Sequence, residues 1–267
     1  MNIDVNGTRL HVSDQGTGHA VIFLHGLGCD GTDWAPQVET FSKQYRCITV
    51  DHRGHGRSDR TVGDGFSIPG FAADAVAVLN HLDVVRAHVV GLSMGGMIAQ
   101  QVAISAPERV CTLSLLDTFA RAGALGEGMG AMADQVEADG LDLIASGFQA
   151  MVFASGTPSA RPDVIERFDA QFRENTPACL ASAMRAIGEV DTIDRLAGLR
   201  VPTLVLCGAE DNLTPIAQAE ELANAIPGAR LEVVPDAGHF SNIENPDHVN
   251  GALAKQLEHP CDHGAAG

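Results

Sequence analysis

Short, nearly continuous apolar runs alternate along the chain with longer stretches in which apolar residues recur every three or four positions. The runs fall at residues 21–24, 47–50, 88–90, 113–116, 203–207 and 231–234. A strand that is apolar on both faces is buried on both faces, which predicts a mostly parallel sheet covered by helices. Two further strands, at residues 3–5 and 9–12, flank Asn6-Gly7, the residue pair that a two-residue primed turn prefers, so an antiparallel hairpin is expected to open the chain. Helical periodicity predicts helices over 34–43, 69–82, 94–105, 215–225 and 246–257, with Pro69, Pro215 and Pro246 at helix starts.

Residues 119–193 break this alternation. They are rich in Ala, Gly, Met and Phe, show helical periodicity over 132–153 and 164–172, and contain no strand pattern. The expected organisation is therefore an α/β core of residues 1–118 and 194–258 with eight strands. A helical cap of residues 119–193 is inserted into it, and a tail of residues 259–267 is expected to be disordered. No internal repeat stands out.

Composition narrows the partners. A hydrophobic fraction of 45% in 267 residues is ample for a single α/β core. A net charge of −17 repels nucleic acid and anionic membranes, which excludes both as partners. It also disfavours a highly anionic substrate unless local cations offset the field. No apolar stretch approaches the roughly 18 residues of a membrane span, and the first residues lack the basic start and apolar run of a signal peptide. The six cysteines form no C-x-x-C pair and several sit in apolar runs, so they are expected to be reduced core thiols in a cytoplasmic protein.

The candidate chemistry lies at strand ends. Gly91-Leu92-Ser93-Met94-Gly95 falls between an expected strand and an expected helix, the setting of a nucleophile elbow. Reading Ser93 only as a helix N-cap leaves the flanking glycines unexplained. A serine nucleophile needs a base and an orienting acid, in the chain order Ser, acid, His. Asp211 follows one strand and His239 follows the next, with Glu210 and Asp117 as competing acids. The oxyanion donors are expected to be the backbone N–H groups of Met94 and Leu27, with His25 shaping the Leu27 loop through hydrogen bonding. Trp34 is a candidate pocket wall or simply the start of its helix. Met94, Met97, Met129, Met132, Met151 and Met184 are either pocket or core. Arg121, Arg161, Arg167, Arg173 and Arg185 are the cap cations available to a substrate carboxylate. His259, Cys261 and His263 suggest a metal-binding scrap, against which stands an unstructured terminus.

Taken together, His25-Gly26-Leu27-Gly28, the segment Asp51-His52-Arg53-Gly54-His55-Gly56-Arg57-Ser58-Asp59, the elbow, the Asp211 loop and Gly238-His239 resemble an α/β-hydrolase with a helical cap over residues 3–258. The resemblance implies that the Asp51–Asp59 segment is a structural turn in which Arg53 and His55 are not catalytic. Leu27-Gly28 with Trp34-Ala35-Pro36-Gln37, the elbow through Met97, and Ala106-Pro107-Glu108-Arg109 resemble the 3-oxoadipate enol-lactonases. The chain departs from them in carrying His25-Gly26 in place of an Asn-Ser pair and in having no tryptophan in the cap. The expected activity is hydrolysis of a small ester or lactone by Ser93, Asp211 and His239 through an acyl-enzyme, with no cofactor and no metal. The partner is a small molecule, and homo-oligomerisation is left open. A general carboxylesterase, a C–C bond hydrolase, a cofactor-free oxygenase using the His239–Asp211 dyad and a low-turnover ligand receptor are the alternatives.

Overall fold

At the first turn Asn6 and Gly7 both take positive φ, 45° and 74°, and reverse the chain between β1 (Asn2–Val5) and β2 (Thr8–Gln15). The computed structural model describes residues 1–261, apart from the side chains of Ala124, Leu143, Ala145 and Ser146. Six further strands follow: β3 (Ala20–Leu24), β4 (Arg46–Val50), β5 (Ala87–Leu92), β6 (Val110–Leu116), β7 (Thr203–Gly208) and β8 (Arg230–Val234). They form one sheet in the order β1-β2-β4-β3-β5-β6-β7-β8, antiparallel at β1–β2 and β2–β4 and parallel elsewhere. β2 runs beyond the expected residue 12 because its second half pairs with β4, from Val12 opposite Val50 to Gln15 opposite Cys47. Every residue of β3, β5, β6 and β7 is buried, as nearly continuous apolar runs require. β8 closes the sheet as a half-exposed edge carrying Arg230 and Glu232, charges that discourage pairing with a further strand.

Helices α1 (Ala35–Phe41), α2 (Ile68–His81) and α3 (Met94–Ser105) follow β3, β4 and β5. Ser67 caps α2 by accepting from Gly70 N at 3.1 Å. The Asp51–Asp59 segment is held structurally. Asp51 accepts from Gly31 N and Arg57 N, and Arg53 makes a buried two-pronged ion pair with Asp74 of α2, both bonds at 2.7 Å. Asn6 Nδ2 donates to the same Asp74 carboxylate, so the hairpin, the turn and α2 share one buried charge pair.

Between β6 and β7 lie α4 (Ala124–Asp139), α5 (Asp142–Val152), α6 (Thr157–Ala160), α7 (Pro162–Arg173), α8 (Pro177–Gly188) and α9 (Ile193–Leu196). The single periodic stretch expected over 132–153 is two helices, because Gly140 at φ 81° ends α4. α4 crosses α8 where Gly126 meets Gly188; a Cβ on Gly126 would stand 2.5 Å from Gly188 O. Phe148, Phe153, Phe168 and Phe172 pack together, and Phe240 joins them from the core with ring centroids 5.3 Å from Phe168 and 5.4 Å from Phe153. After β7 come α10 (Ile216–Ala225), α11 (Ser241–Glu244) and α12 (Pro246–Leu257). Asn245 caps α12 on His248 N, and α12 packs against α1.

The cysteine reading needs correction. Cys111 at the start of β6 is disulfide-bonded to Cys261, 150 residues away, while Cys29, Cys47, Cys179 and Cys207 are free and buried. The pairing removes the cysteine-based expectation of a reducing compartment. It also seats the first part of the tail, where Cys261 is buried and His259 Nδ1 lies 3.1 Å from Gln256 O. Residues 262–267, His263 among them, lie outside the described residues. Thiol titration of the denatured protein without reductant is expected to count four thiols, rising to six after reduction; six before reduction would contradict the pairing.

Candidate active site

β5 passes directly into α3 at Ser93, which is forced to φ 55°, ψ −120°. The tightness of the turn explains the glycines. A Cβ on Gly91 would sit 2.1 Å from Gly95 O, and one on Gly95 would sit 2.0 Å from Leu24 O. Ser93 N donates to Leu116 O at 2.9 Å and Ser93 O accepts from Thr118 Oγ1 at 2.8 Å, so the strained residue is pinned through its backbone. Its side chain forms no helix-capping hydrogen bond, which leaves Oγ uncommitted to that role.

The loops after β7 and β8 bring Asp211 and His239 together. His239 Nδ1 lies 2.9 Å from Asp211 Oδ2. Asp211 Oδ1 accepts from Leu213 N and Thr214 N at 2.9 and 2.8 Å, and Oδ2 accepts from Thr214 Oγ1 at 2.6 Å. Burial alone would raise the Asp211 carboxyl, but the His239 charge and these bonds outweigh it and hold the group below the usual carboxylate range. Burial likewise works against an imidazolium at His239. The charge and hydrogen bond of Asp211, with Asp117 and Glu244 further away, outweigh burial and raise the His239 pKa.

The competing acids have other work. Glu210 is half-buried and accepts from Ser155 N and Oγ. Asp117, itself at φ 48°, accepts from Gly208 N at 2.8 Å and from Ser241 Oγ at 2.5 Å, tying the acid loop to the start of α11. Burial and then the nearby Asp211 charge push its pKa up to about 8. Asp117, Asp211 and Cys207 place ligand atoms within 4.8 Å of one another. Their chemistry does not suit a metal: both carboxylates accept from protein donors, and burial pushes the Cys207 thiol far up. The His88–Cys111–Cys261 group is likewise spent, its sulfurs in the disulfide and His88 Nδ1 2.9 Å from Thr112 Oγ1.

Beside Ser93, His25 Nδ1 donates to Gly26 O at 2.8 Å, and its Nε2 accepts from His52 N at 2.9 Å. These bonds set the loop that carries Leu27. Among the described residues, neither Leu27 N–H nor Met94 N–H donates to a backbone carbonyl outside regular elements. Met94 opens α3, whose first amides have no intrahelical acceptor.

Ser93, His239, Leu27 and Thr214 line one cavity, which encloses about 630 Å³ including its open mouth. Phe119, Met129, Met132, Phe148, Ile187 and Phe240 supply much of its wall. Trp34 is not part of that wall: it is fully buried, with its ring 5.1 Å from Phe23. Of the methionines, Met97, Met129 and Met132 line the cavity, Met94 and Met184 are core, and Met151 is exposed.

Two residues at the site escaped the sequence reading. Thr214 touches both Asp211 and His239, its Oγ1 lying 3.2 Å from His239 Nδ1; the Asp-x-x-Thr spacing of a local side-chain turn was its available signal. Glu244 accepts from Gly238 N at 2.7 Å, next to His239, and also from Ala154 N and Thr157 Oγ1 between α5 and β7. His239 N in turn donates to Val152 O of α5 at 2.7 Å. Nothing local in the sequence marks Glu244.

A family model described as the alpha/beta hydrolase fold matches residues 19–246. 3-Oxoadipate enol-lactonase 2 of Acinetobacter baylyi is 33% identical over 234 residues, 88% of this chain and 86% of its own. An esterase from Thermogutta terrifontis superposes with a TM-score of 0.90 at 32% identity, covering 97% of each chain. The enol-lactonase from Burkholderia xenovorans also gives 0.90, at 30% identity over 96% of this chain and 99% of its own.

Two outcomes are expected from this geometry. An NMR titration should place the His239 pKa above 6.5, and Asp211→Asn should drop it below 6.5 because burial then dominates. The raised value stabilises the fold fully below pH 6.5, and the contribution is lost as pH rises through the folded-state pKa. Glu244→Ala strands the Gly238 and Ala154 amides and should lower stability by about 2–4 kcal/mol in urea unfolding; a loss under about 0.5 kcal/mol would contradict the clamp.

Proposed function

The chain belongs to the alpha/beta hydrolase fold family, and from that membership we propose that it is a serine hydrolase cleaving a small carboxylic ester or lactone. The observation that carries this is the His239–Asp211 pair at 2.9 Å, whose His239 lines the same cavity as a serine held on a strained elbow. The named relatives support ester and enol-lactone bonds as the substrate class.

His239 Nε2 takes the Ser93 proton as Oγ attacks the carbonyl carbon, and Asp211 holds the imidazolium formed. The N–H groups of Leu27 and Met94 receive the oxyanion; losing one such donor typically costs ~10²–10³ in turnover. As the tetrahedral species collapses, the imidazolium protonates the departing alkoxide; in a lactone that oxygen stays tethered to the acyl group. Water, deprotonated by His239, then attacks the acyl-enzyme and releases the acid. The cap, taken as residues 119–193, shapes the acyl side of the cavity, and the core, residues 1–118 and 194–258, carries the reacting groups. Asp117 orients the two loops and takes no proton from the reaction.

Ser93→Ala is expected to lower kcat by at least ~10³ and to abolish stoichiometric labelling by a fluorophosphonate, while Asp211→Asn costs ~10⁴. Turnover of Ser93→Ala at the wild-type rate, accompanied by oxygen uptake, would instead favour the oxygenase reading. For the wild type, kcat/KM is expected to fall on the acid side with an apparent pKa above 6.5, where His239 becomes protonated.

A further inference from the structure

We propose that the acyl side of this site takes an uncharged, apolar acyl group and discriminates against a substrate whose acyl arm carries a free carboxylate. This rests on the acyl-transfer reading of Ser93 and specifies its substrate.

The first support is the cap's supply of cations. Residues 119–193 contain no lysine and no histidine, and their five arginines are outnumbered by acidic residues. Each arginine is engaged away from the cavity. Arg121 pairs with Asp191 at 3.3 Å and Arg161 with Asp163 at 3.4 Å. Arg167 reaches across to Asp33 of the core at 3.1 Å, and Arg173 bonds Asp169 at 2.7 Å and also Asp142. Arg185 is held by Asp134 and Glu137, both at 2.7 Å. None of the five lines the cavity.

The core supplies no substitute. No lysine or arginine of the core lines the cavity either. The histidines grouped behind the Leu27 loop, His25, His52 and His55, are buried and held neutral, His55 at about 3. The hydroxyl of Thr214 is already given to Asp211. What remains is His239, whose charge is neutralised by Asp211, and the two oxyanion amides, which the reacting carbonyl needs. A carboxylate in the acyl arm would be desolvated against Phe119, Met132, Phe148 and Ile187 without a partner, inside a protein of net charge −17. Burying an unpaired charge is the costliest arrangement open to it.

The same wall suits a flexible apolar chain. Met97, Met129 and Met132 are unbranched and reshape easily, so they can follow acyl groups of different length. Each added methylene that finds this wall should raise kcat/KM about fourfold, until the cavity is filled.

The test is a matched series of p-nitrophenyl esters: acetate, butyrate and hexanoate against the monosuccinate and monoadipate, with Ser93→Ala subtracted. The expected result is a rise from acetate to hexanoate, with the monoadipate at least ~100-fold below the hexanoate in kcat/KM. Monoadipate cleavage equal to or above hexanoate, still dependent on Ser93, would overturn the proposal and leave the serine hydrolase reading standing. No Ser93-dependent cleavage of any ester would overturn both. Met129 is half-buried at the cavity wall, so Met129→Lys should fold and narrow the hexanoate-to-monoadipate ratio at least ~10-fold. An unchanged ratio in the folded variant would overturn the charge argument.

Discussion

Where β5 enters α3 the backbone turns so sharply that the Gly95 carbonyl fills the space a side chain on Gly91 would need, and the end of β3 fills the space beside Gly95. That contact fixes more than the serine. Because Gly95 lies against Leu24 O, the end of β3 and the loop that leaves it must stand beside the elbow. The two parallel strands beyond β6 then deliver their own loops to this edge of the sheet. A steric requirement at two glycines therefore sets the relative positions of β3, β5 and α3, and Ser93 inherits that geometry.

Two buried carboxylates stand close together at the far side of the site and behave oppositely. Asp211 has a cationic partner in His239 and three donors from the Leu213–Thr214 turn, so its charged form is favoured. Asp117 also has three donors, in Gly208 N, Ser241 N and Ser241 Oγ, but it has no cation in contact and Asp211 stands beside it, so its neutral form is favoured. One charge between two carboxyls is the cheaper arrangement in a buried site, and it leaves that charge where the imidazolium is. The division follows from the imidazole that only Asp211 contacts rather than from depth, since both groups are buried.

Ser93, Asp211 and His239 were legible because each follows a strand whose apolar run is unmistakable, and strand ends in a parallel sheet converge on one edge. The sheet was legible for the same reason. The cap was read as helical, but its break at Gly140 was not, since apolar spacing continues across the glycine while the backbone does not. Thr214 and Glu244 act through hydrogen bonds to loops, and such bonds leave no periodic trace. The Cys111–Cys261 bond was misread because two cysteines 150 residues apart have no local spacing to betray them. Trp34 sits next to the oxyanion loop in sequence but turns into the core against Phe23, where an indole gains most from burial.

Glu244 holds Gly238 with one carboxylate oxygen and the stretch after α5 with the other. The cap and the histidine loop are consequently not separate parts joined at a hinge; they share an anchor one residue from His239. Exchanging this cap for that of another hydrolase would transplant a pocket and, in the same cut, remove the Val152 carbonyl that holds His239 N. Altered specificity in this scaffold is reached more safely by single changes on the cavity wall than by trading whole caps, because only the former keep the Val152 carbonyl on His239 N and the Ala154 and Thr157 donors on Glu244.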